Sequence, residues 1–105
     1  MRKYNIGDYI RIKTIDELLE TYQDMKLIRK VILSRGTFNS TTSVSFIPSM
    51  YQLCGKSVRV HSVYKIGEDV RVNEGGRYYR ISPEWISQAK EMDFNIDKEK
   101  VLLLI

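Results

Sequence analysis

Two adjacent glycines, Gly75 and Gly76, lie between two arms rich in β-branched and aromatic residues in the segment "VRVNEGGRYYRIS", 70–82. Paired glycines readily adopt the positive φ angles that a two-residue hairpin turn requires, and the arms have the composition of strands. The segment therefore predicts a β-hairpin. This hairpin is the strongest constraint on the fold, because it commits the second half of the chain to antiparallel pairing.

Alternating apolar and polar residues precede this hairpin and recur near the N-terminus. In "KSVRVHSVYK", 56–65, one predicted face carries Val58, Val60, Ser62 and Tyr64, and the other carries Arg59, His61 and Val63. "IGED", 66–69, predicts the turn that follows. In "GDYIRIKT", 7–14, Ile10 and Ile12 alternate with Arg11 and Lys13. A period of two residues is typical of a half-buried strand, so both segments are predicted strands.

A helix is predicted over 14–25, "TIDELLETYQDM". Thr14 followed three residues later by Glu17 forms a capping-box signature. Apolar residues then recur at helical spacing, at Ile15, Leu18, Leu19, Tyr22 and Met25. We expect one amphipathic helix of about three turns that packs on an apolar surface.

The sequence pattern of the next two segments is compatible with more than one kind of secondary structure. "KLIRKVILSRG", 26–36, is compatible with a strand or with a continued helix, and its β-branched residues favour a strand. "TFNSTTSVS", 37–45, is polar and predicts a loop or an irregular edge.

Two proline-initiated helical turns are also predicted. Pro48 opens "PSMYQL", 48–53, and Gly55 then reverses the chain with a positive φ. In "SPEWI", 82–86, Ser82 is the N-cap, Pro83 is the first helical residue, and Trp85 follows.

The order of elements predicts a mostly β (α+β) fold, a small and strongly bent sheet or barrel with one amphipathic helix after the first strand. We expect a single domain over 1–105, with a core at about 6–87 and a C-terminal extension at 88–105. This extension ends in five apolar residues that would close the sheet, dock within the chain or pair two copies in a homodimer. These candidate interface residues are Val101, Leu102, Leu103, Leu104 and Ile105.

Composition excludes several classes of protein. The 17 lysines and arginines exceed the 13 acidic residues, giving a net charge of +4, which permits nucleic-acid or anion binding without establishing it. A single cysteine cannot form an intramolecular disulfide. With only one cysteine and one histidine the chain has few soft metal ligands, so we expect no metal and no cofactor. Without a signal segment or an apolar run of membrane-spanning length, a cytoplasmic protein with no membrane partner is expected.

Cys54 and His61 raise the question of a nucleophilic pair, because they are the only cysteine and the only histidine and lie seven residues apart. Cys54 lies at a turn between Leu53 and Gly55, where a free cysteine behaves as a small apolar residue. If Val58 and Val60 point into the core, His61 points outward. The two directions favour a structural cysteine, and no catalytic residue is predicted.

A better group of candidates faces outward on the predicted strands. Its arginines suit phosphate or carboxylate groups, and a tyrosine beside them adds a stacking surface for nucleic acid or a nucleotide. Alternatively, the same charges form a solvated face that discourages pairing of strand edges. The candidate ligand-binding residues are Arg11, Lys13, Arg59, His61, Arg71, Tyr78 and Arg80. The other prominent aromatics, Tyr9, Tyr64, Tyr79 and Trp85, are expected in the core.

Three segments, "GDYIRIKTIDELLE", "FIPSMYQLCGKSVRVHSVYK" and "VRV…GRYYRISPEWI", resemble the SH3-like β-barrel module related to the Mind bomb repeat. The resemblance is to the small stand-alone versions encoded by bacteriophages and mobile elements, and it covers about residues 6–87. It implies a non-enzymatic binding module that engages a host protein in host takeover or counter-defence. It supplies no catalytic residue and no cofactor, and binding of an anion through the Arg/His face is the alternative. Residues 26–45 and 87–105 depart from the family pattern.

Overall fold

The structure, a computed structural model, describes residues 4–64 and 69–87. It contains seven strands, two α-helices and two 3₁₀ turns in these ranges. In chain order they are β1 (Tyr9–Ile12), α1 (Ile15–Thr21), α2 (Lys26–Leu33), β2 (Phe38–Asn39), β3 (Ser45–Phe46), a first 3₁₀ turn (Pro48–Leu53), β4 (Ser57–Val63), β5 (Val70–Glu74), β6 (Arg77–Ile81), a second 3₁₀ turn (Pro83–Trp85) and β7 (Ile86–Ser87). The α+β composition is confirmed.

Five strands form one antiparallel sheet in the order β6-β5-β4-β1-β7, and β2 and β3 form a separate two-stranded ribbon. Within the described residues β6 and β7 do not pair, so the sheet is open, and the predicted barrel is not closed. The predicted hairpin is confirmed: Glu74 lies opposite Arg77, and Gly75 and Gly76 have φ angles of 62° and 81°.

A β-bulge in β4 reverses the predicted faces of its second half. Val60 lies opposite Val72, but Ser62 lies opposite Arg71, which leaves His61 as an extra residue. Ser62 therefore shares a face with Arg71, and Val63 packs against the core. The prediction for Ser62 and Val63 was wrong because a simple alternation cannot anticipate an inserted residue.

The predicted first helix is confirmed as α1, although it ends at Thr21, before the predicted residue 25. Its capping box is present, since the Glu17 amide donates to Thr14 Oγ1 at 3.2 Å and the Thr14 amide donates to Glu17 Oε1 at 2.8 Å. Leu18 and Tyr22 are buried.

The strand favoured for 26–36 is wrong, and the prediction of a single helix is wrong with it. Lys26–Leu33 form α2. Ile28, Val31 and Ile32 recur at spacings of three and four residues, so in a helix all three fall on the side that packs against the core. Burial of this stripe outweighs the modest β propensity of the same residues.

Trp85 lies at the centre of an aromatic core, with no exposed surface. Its ring lies edge-on to Phe46, with centroids 4.9 Å apart, and edge-on to Phe38 at 6.0 Å. The burial predicted for Trp85 and Tyr79 is confirmed, whereas Tyr64 is only half-buried. Tyr9 was wrongly expected in the core; it is 68% exposed.

Candidate functional site on the outer face of the sheet

The outer face of the sheet, which points away from the aromatic core, carries a row of side chains across four strands. Tyr9 on β1 lies opposite Arg59 on β4. The register that pairs Val60 with Val72 places Asn73 on β5 beside Arg59, and Asn73 lies opposite Tyr78 on β6. Side chains directly opposite each other on adjacent strands are near neighbours, so this row is continuous across the sheet.

Tyr78 is held by two neighbours on this face. The Arg71 guanidinium carbon lies 4.1 Å from the centroid of the Tyr78 ring, the geometry of a cation–π contact. The His61 ring meets Tyr78 edge-on, with centroids 5.0 Å apart and an interplanar angle of 70°. The bulge in β4 presents His61 to this contact, so the backbone irregularity contributes directly to the surface.

A depression of about 400 Å³ lies beside this row, lined by Ile6, Arg59, Val60, His61 and Asn73. Ile6 is 71% exposed at its edge. We refer to the apolar, aromatic, polar and cationic side chains of this surface together as the outer-face patch. It consists of Ile6, Tyr9, Arg59, His61, Arg71, Asn73 and Tyr78.

Two of its cations, Arg59 and Arg71, have no acidic partner in the part of the chain that the structure describes. Arg80 shares the face but is engaged, because its Nε and Nη2 donate to Asp69 Oδ2 at 3.1 and 2.9 Å. Its guanidinium also lies 4.1 Å from the Tyr64 ring centroid. Arg80 thus offers much less free charge to a ligand than the sequence suggested.

Arg11 and Lys13 are directed to α1 and do not join the patch. Arg11 Nη2 donates to both carboxylate oxygens of Glu17, at 3.1 and 2.9 Å, and to Ser87 Oγ at 2.9 Å. Lys13 Nζ donates to Thr21 Oγ1 at 2.7 Å. Burial lowers the pKa of Lys13, and the nearby carboxylate of Glu17 only partly offsets this effect. Both cations therefore fasten α1 to the sheet.

Cys54 and His61 do not meet. Cys54 is half-buried against the core near Tyr51 and Arg35, whereas His61 is exposed on the outer face. Burial raises the pKa of the Cys54 thiol, and the Arg35 charge offsets this only in part. A thiol with a raised pKa holds less of the reactive thiolate at neutral pH, which suits a structural cysteine.

Metal-ligating side chains do not converge in the part of the chain that the structure describes. No group of three or more His, Cys, Asp or Glu side chains is close enough there to hold a metal ion. The predicted interface at Val101–Ile105 and the first three residues of the turn predicted at 66–69 lie outside the described residues.

The sequence predicted seven outward candidate residues; the structure brings five of them together on the outer face and directs Arg11 and Lys13 to α1. Three members of the patch were missed. Tyr9 was the avoidable miss, because the alternation that buries Ile10 and Ile12 must expose Tyr9. Asn73 follows from the same rule applied to β5. Ile6 precedes the first strand, and no periodic signal identifies it.

Comparison of the chain with protein-family models, curated proteins and solved structures finds no match. The SH3-like resemblance therefore stays a prediction. Among the described residues, no helix combines the length and the apolar character needed to cross a membrane.

Proposed function

We propose that the protein is a non-catalytic binding module that recognises another protein through the outer-face patch. The observation that carries this proposal is the exposure of Tyr9 and Ile6, 68% and 71%, directly beside Arg59, whose guanidinium has no ion-pair partner among residues 4–64 and 69–87. Tyrosine and arginine are enriched at the energetic centres of protein interfaces. Adjacent exposed apolar groups are unfavourable in water and gain from being covered by a partner.

The patch fits a protein better than a single-stranded nucleic acid. Arg71 occupies one side of the Tyr78 ring and His61 contacts the ring as well, which leaves Tyr78 a restricted surface for a stacking base. Arg80 and Arg11 are neutralised by carboxylates, so fewer free cations remain for a phosphate backbone. Ile6 adds an aliphatic surface for which a nucleic acid has little use.

The chemistry of the patch also indicates the character of the partner. Arg59 and Arg71, which form no ion pair among the described residues, favour acidic side chains, and the depression beside Ile6 favours one inserted apolar side chain. The resemblance to phage and mobile-element modules adds the proposal that this partner is a protein of the host cell, bound in host takeover or counter-defence. The same resemblance supports an SH3-like fold, a proposal with which five antiparallel strands and two 3₁₀ turns are compatible.

Affinity capture with matched variants tests the proposal. The tagged full chain is incubated with nuclease-treated bacterial lysate, alongside the double variant Tyr9→Ser/Arg59→Ser and the control Leu27→Ser. Leu27 is 79% exposed on α2, away from the sheet, so its substitution removes comparable apolar surface outside the patch. We expect proteins that bind the natural chain and the Leu27 variant but not the patch variant.

The captured protein is then purified and titrated against each form. Loss of two central contacts should weaken binding by about a hundredfold or more, since hot-spot truncations cost about 2 kcal/mol or more each. Fluorescence anisotropy with single-stranded DNA and RNA at low and moderate salt is the competing arm. The proposal would be overturned if no protein were captured and the oligonucleotides bound through the patch with an affinity that falls steeply with salt. That result would assign the patch to nucleic acid.

A further inference from the structure

A second depression lies on the opposite side of the β5–β6 hairpin from Tyr78. It has a volume of about 460 Å³ between the hairpin tip and the first 3₁₀ turn. Its lining is largely polar, from Ser49, Gln52, Lys56, Glu74, Gly75, Arg77 and Tyr79. Arg77 follows the alternation of Tyr79 and Ile81, which are buried, so it projects from the inner side of the sheet just beyond the core.

The two cations of this depression come from different parts of the fold. Lys56 lies immediately before β4, and its amide donates to the Leu53 carbonyl at 2.9 Å, whereas Arg77 begins β6. Neither forms an ion pair within residues 4–64 and 69–87. Glu74 lies opposite Arg77 and also lines the depression, yet its carboxylate is not within ion-pair distance of either cation.

Arg77 is positioned in advance. Its guanidinium carbon lies 5.2 Å from the ring centroid of Tyr79, which is 5% exposed and anchored in the core. A cation–π contact of this kind restrains a long side chain, so less conformational entropy remains to be lost when a ligand binds. The tight Gly75–Gly76 turn fixes the rim of the depression beside it.

We propose that this depression binds the phosphate group of a small phosphorylated ligand or of a phosphorylated side chain. The arginine fork provides two parallel donors, Lys56 provides a point charge and the Gln52 amide provides a further donor, a combination suited to phosphate oxygens. The two cations exceed the single negative charge of Glu74, so the net attraction for a dianionic phosphate is about twice that for a monoanionic carboxylate at the same position. The site is separate from the outer-face patch, and it does not rest on the function proposed for that patch.

Nuclear magnetic resonance titration of the ¹⁵N-labelled full chain tests this proposal with inorganic phosphate, phosphoserine, adenosine 5′-monophosphate and acetate as probes. We expect phosphate-bearing probes to shift the amide resonances of residues 49–56 and 74–79. Arg77→Ala and Lys56→Ala should each weaken binding about tenfold or more, as loss of one charged hydrogen bond does. Glu74→Gln should strengthen it, and Arg71→Ala, on the other face of the same hairpin, should leave it unchanged.

Comparison of the four probes shows whether the bound phosphate group belongs to a side chain or to a nucleotide, and it can overturn the proposal. Tighter binding of phosphoserine than of adenosine 5′-monophosphate assigns a phosphorylated side chain, and the reverse assigns a nucleotide. Acetate bound as tightly as phosphate, or shifts spread over all cationic surfaces and insensitive to Arg77→Ala, would refute a phosphate site. Capture of a protein partner by the Arg77→Ala variant, measured in parallel, shows whether the outer-face patch still functions when this site is disabled.

Discussion

Replacement of Tyr22 by phenylalanine removes the hydroxyl group that links α1 to the core. Trp85 Nε1 donates to Tyr22 Oη at 2.9 Å, and Tyr22 in turn donates to Glu84 Oε1 at 2.6 Å. Glu84 also accepts hydrogen bonds from the backbone amide and the hydroxyl group of Thr41. The chain of bonds thus joins α1, the second 3₁₀ turn and the loop between β2 and β3.

The expected cost follows from what the substitution leaves unpaired. Trp85 is fully buried, so water cannot replace the Tyr22 hydroxyl as acceptor for its indole N–H. An unsatisfied buried donor of this kind costs about 1–3 kcal/mol. Glu84 keeps the two donors of Thr41, so the loss at the carboxylate is smaller. We expect Tyr22→Phe to lower the free energy of unfolding by about 2 kcal/mol and Tm by about 8–16 °C.

Urea unfolding followed by the fluorescence of Trp85, the only tryptophan, measures this effect. Tyr78→Phe is the matched control, because the Tyr78 hydroxyl makes no hydrogen bond among the described residues, and its stability should change by less than about 0.5 kcal/mol. A loss below about 0.5 kcal/mol for Tyr22→Phe would refute the role given to the hydroxyl group.

Tyr22 should also make the stability of the protein depend on pH in the alkaline range. Burial and the neighbouring Glu84 carboxylate raise the pKa of Tyr22 well above its ordinary value of 10.0. The unfolded phenol loses its proton above about pH 10 while the folded one keeps it, so stability falls as the pH rises through this range. Tyr22→Phe should show a shallower alkaline loss than the natural chain.

Changes at four further sites test local features of the fold. Partial burial alone would raise the pKa of Glu17, but hydrogen bonds from Thr14 and Arg11 outweigh it and leave that pKa below its ordinary value. Glu17→Gln should therefore cost about 1 kcal/mol at pH 7 and reduce the loss of stability on acidification below about pH 4.5, measured by urea unfolding. Gly75→Ala should lower the free energy of unfolding by about 1 kcal/mol in the same assay, because its φ of 62° is unfavourable for alanine. No atom lies within 4 Å of an added Cβ, so no steric clash adds to this cost. Gly75→Asn should be nearly neutral, because asparagine tolerates a positive φ. Ser49→Ala should leave stability unchanged or raise it by up to about 1 kcal/mol, since Ser49 Oγ is buried without a described partner; a clear loss would indicate a missing contact. Native Cys54 should react with a thiol reagent at pH 8 about tenfold more slowly than in the unfolded chain, and equal rates would contradict its burial.

Local signals in the sequence predicted those parts of the fold that local chemistry determines. The capping box at Thr14, the glycine pair at 75–76 and the Ser82–Pro83 start of the second 3₁₀ turn all lie where expected, because each depends on residues only a few positions apart. The helix at 26–33 was missed because β-branched residues favour strands on average, and only its contact with the core shows which side is buried.

The sequence predicted which residues of the candidate site point outward, but not which of them lie together or remain free of partners. Alternation places Arg59, Arg71 and Tyr78 outside without reference to the rest of the fold. Whether an outward cation is free depends on partners distant in sequence or on another element, as Arg80 with Asp69 and Arg11 with Ser87 show. Pairing information of that kind requires the strand order, which no local pattern contains.

The β5–β6 hairpin brings the two proposed sites together without mixing them. Because its turn contains only Gly75 and Gly76, the register between the arms is fixed, and the strand period sends Tyr78 to one side of the sheet and Arg77 to the other. A slip of one residue would exchange these two side chains and bury Tyr78 in place of Tyr79. The two-residue turn therefore keeps the aromatic surface proposed to bind a protein on one side of the sheet and the depression proposed to bind phosphate on the other. Within the hairpin, substitutions that affect only one of these sites must consequently be made in the side chains of the arms, since a change that alters the turn displaces both.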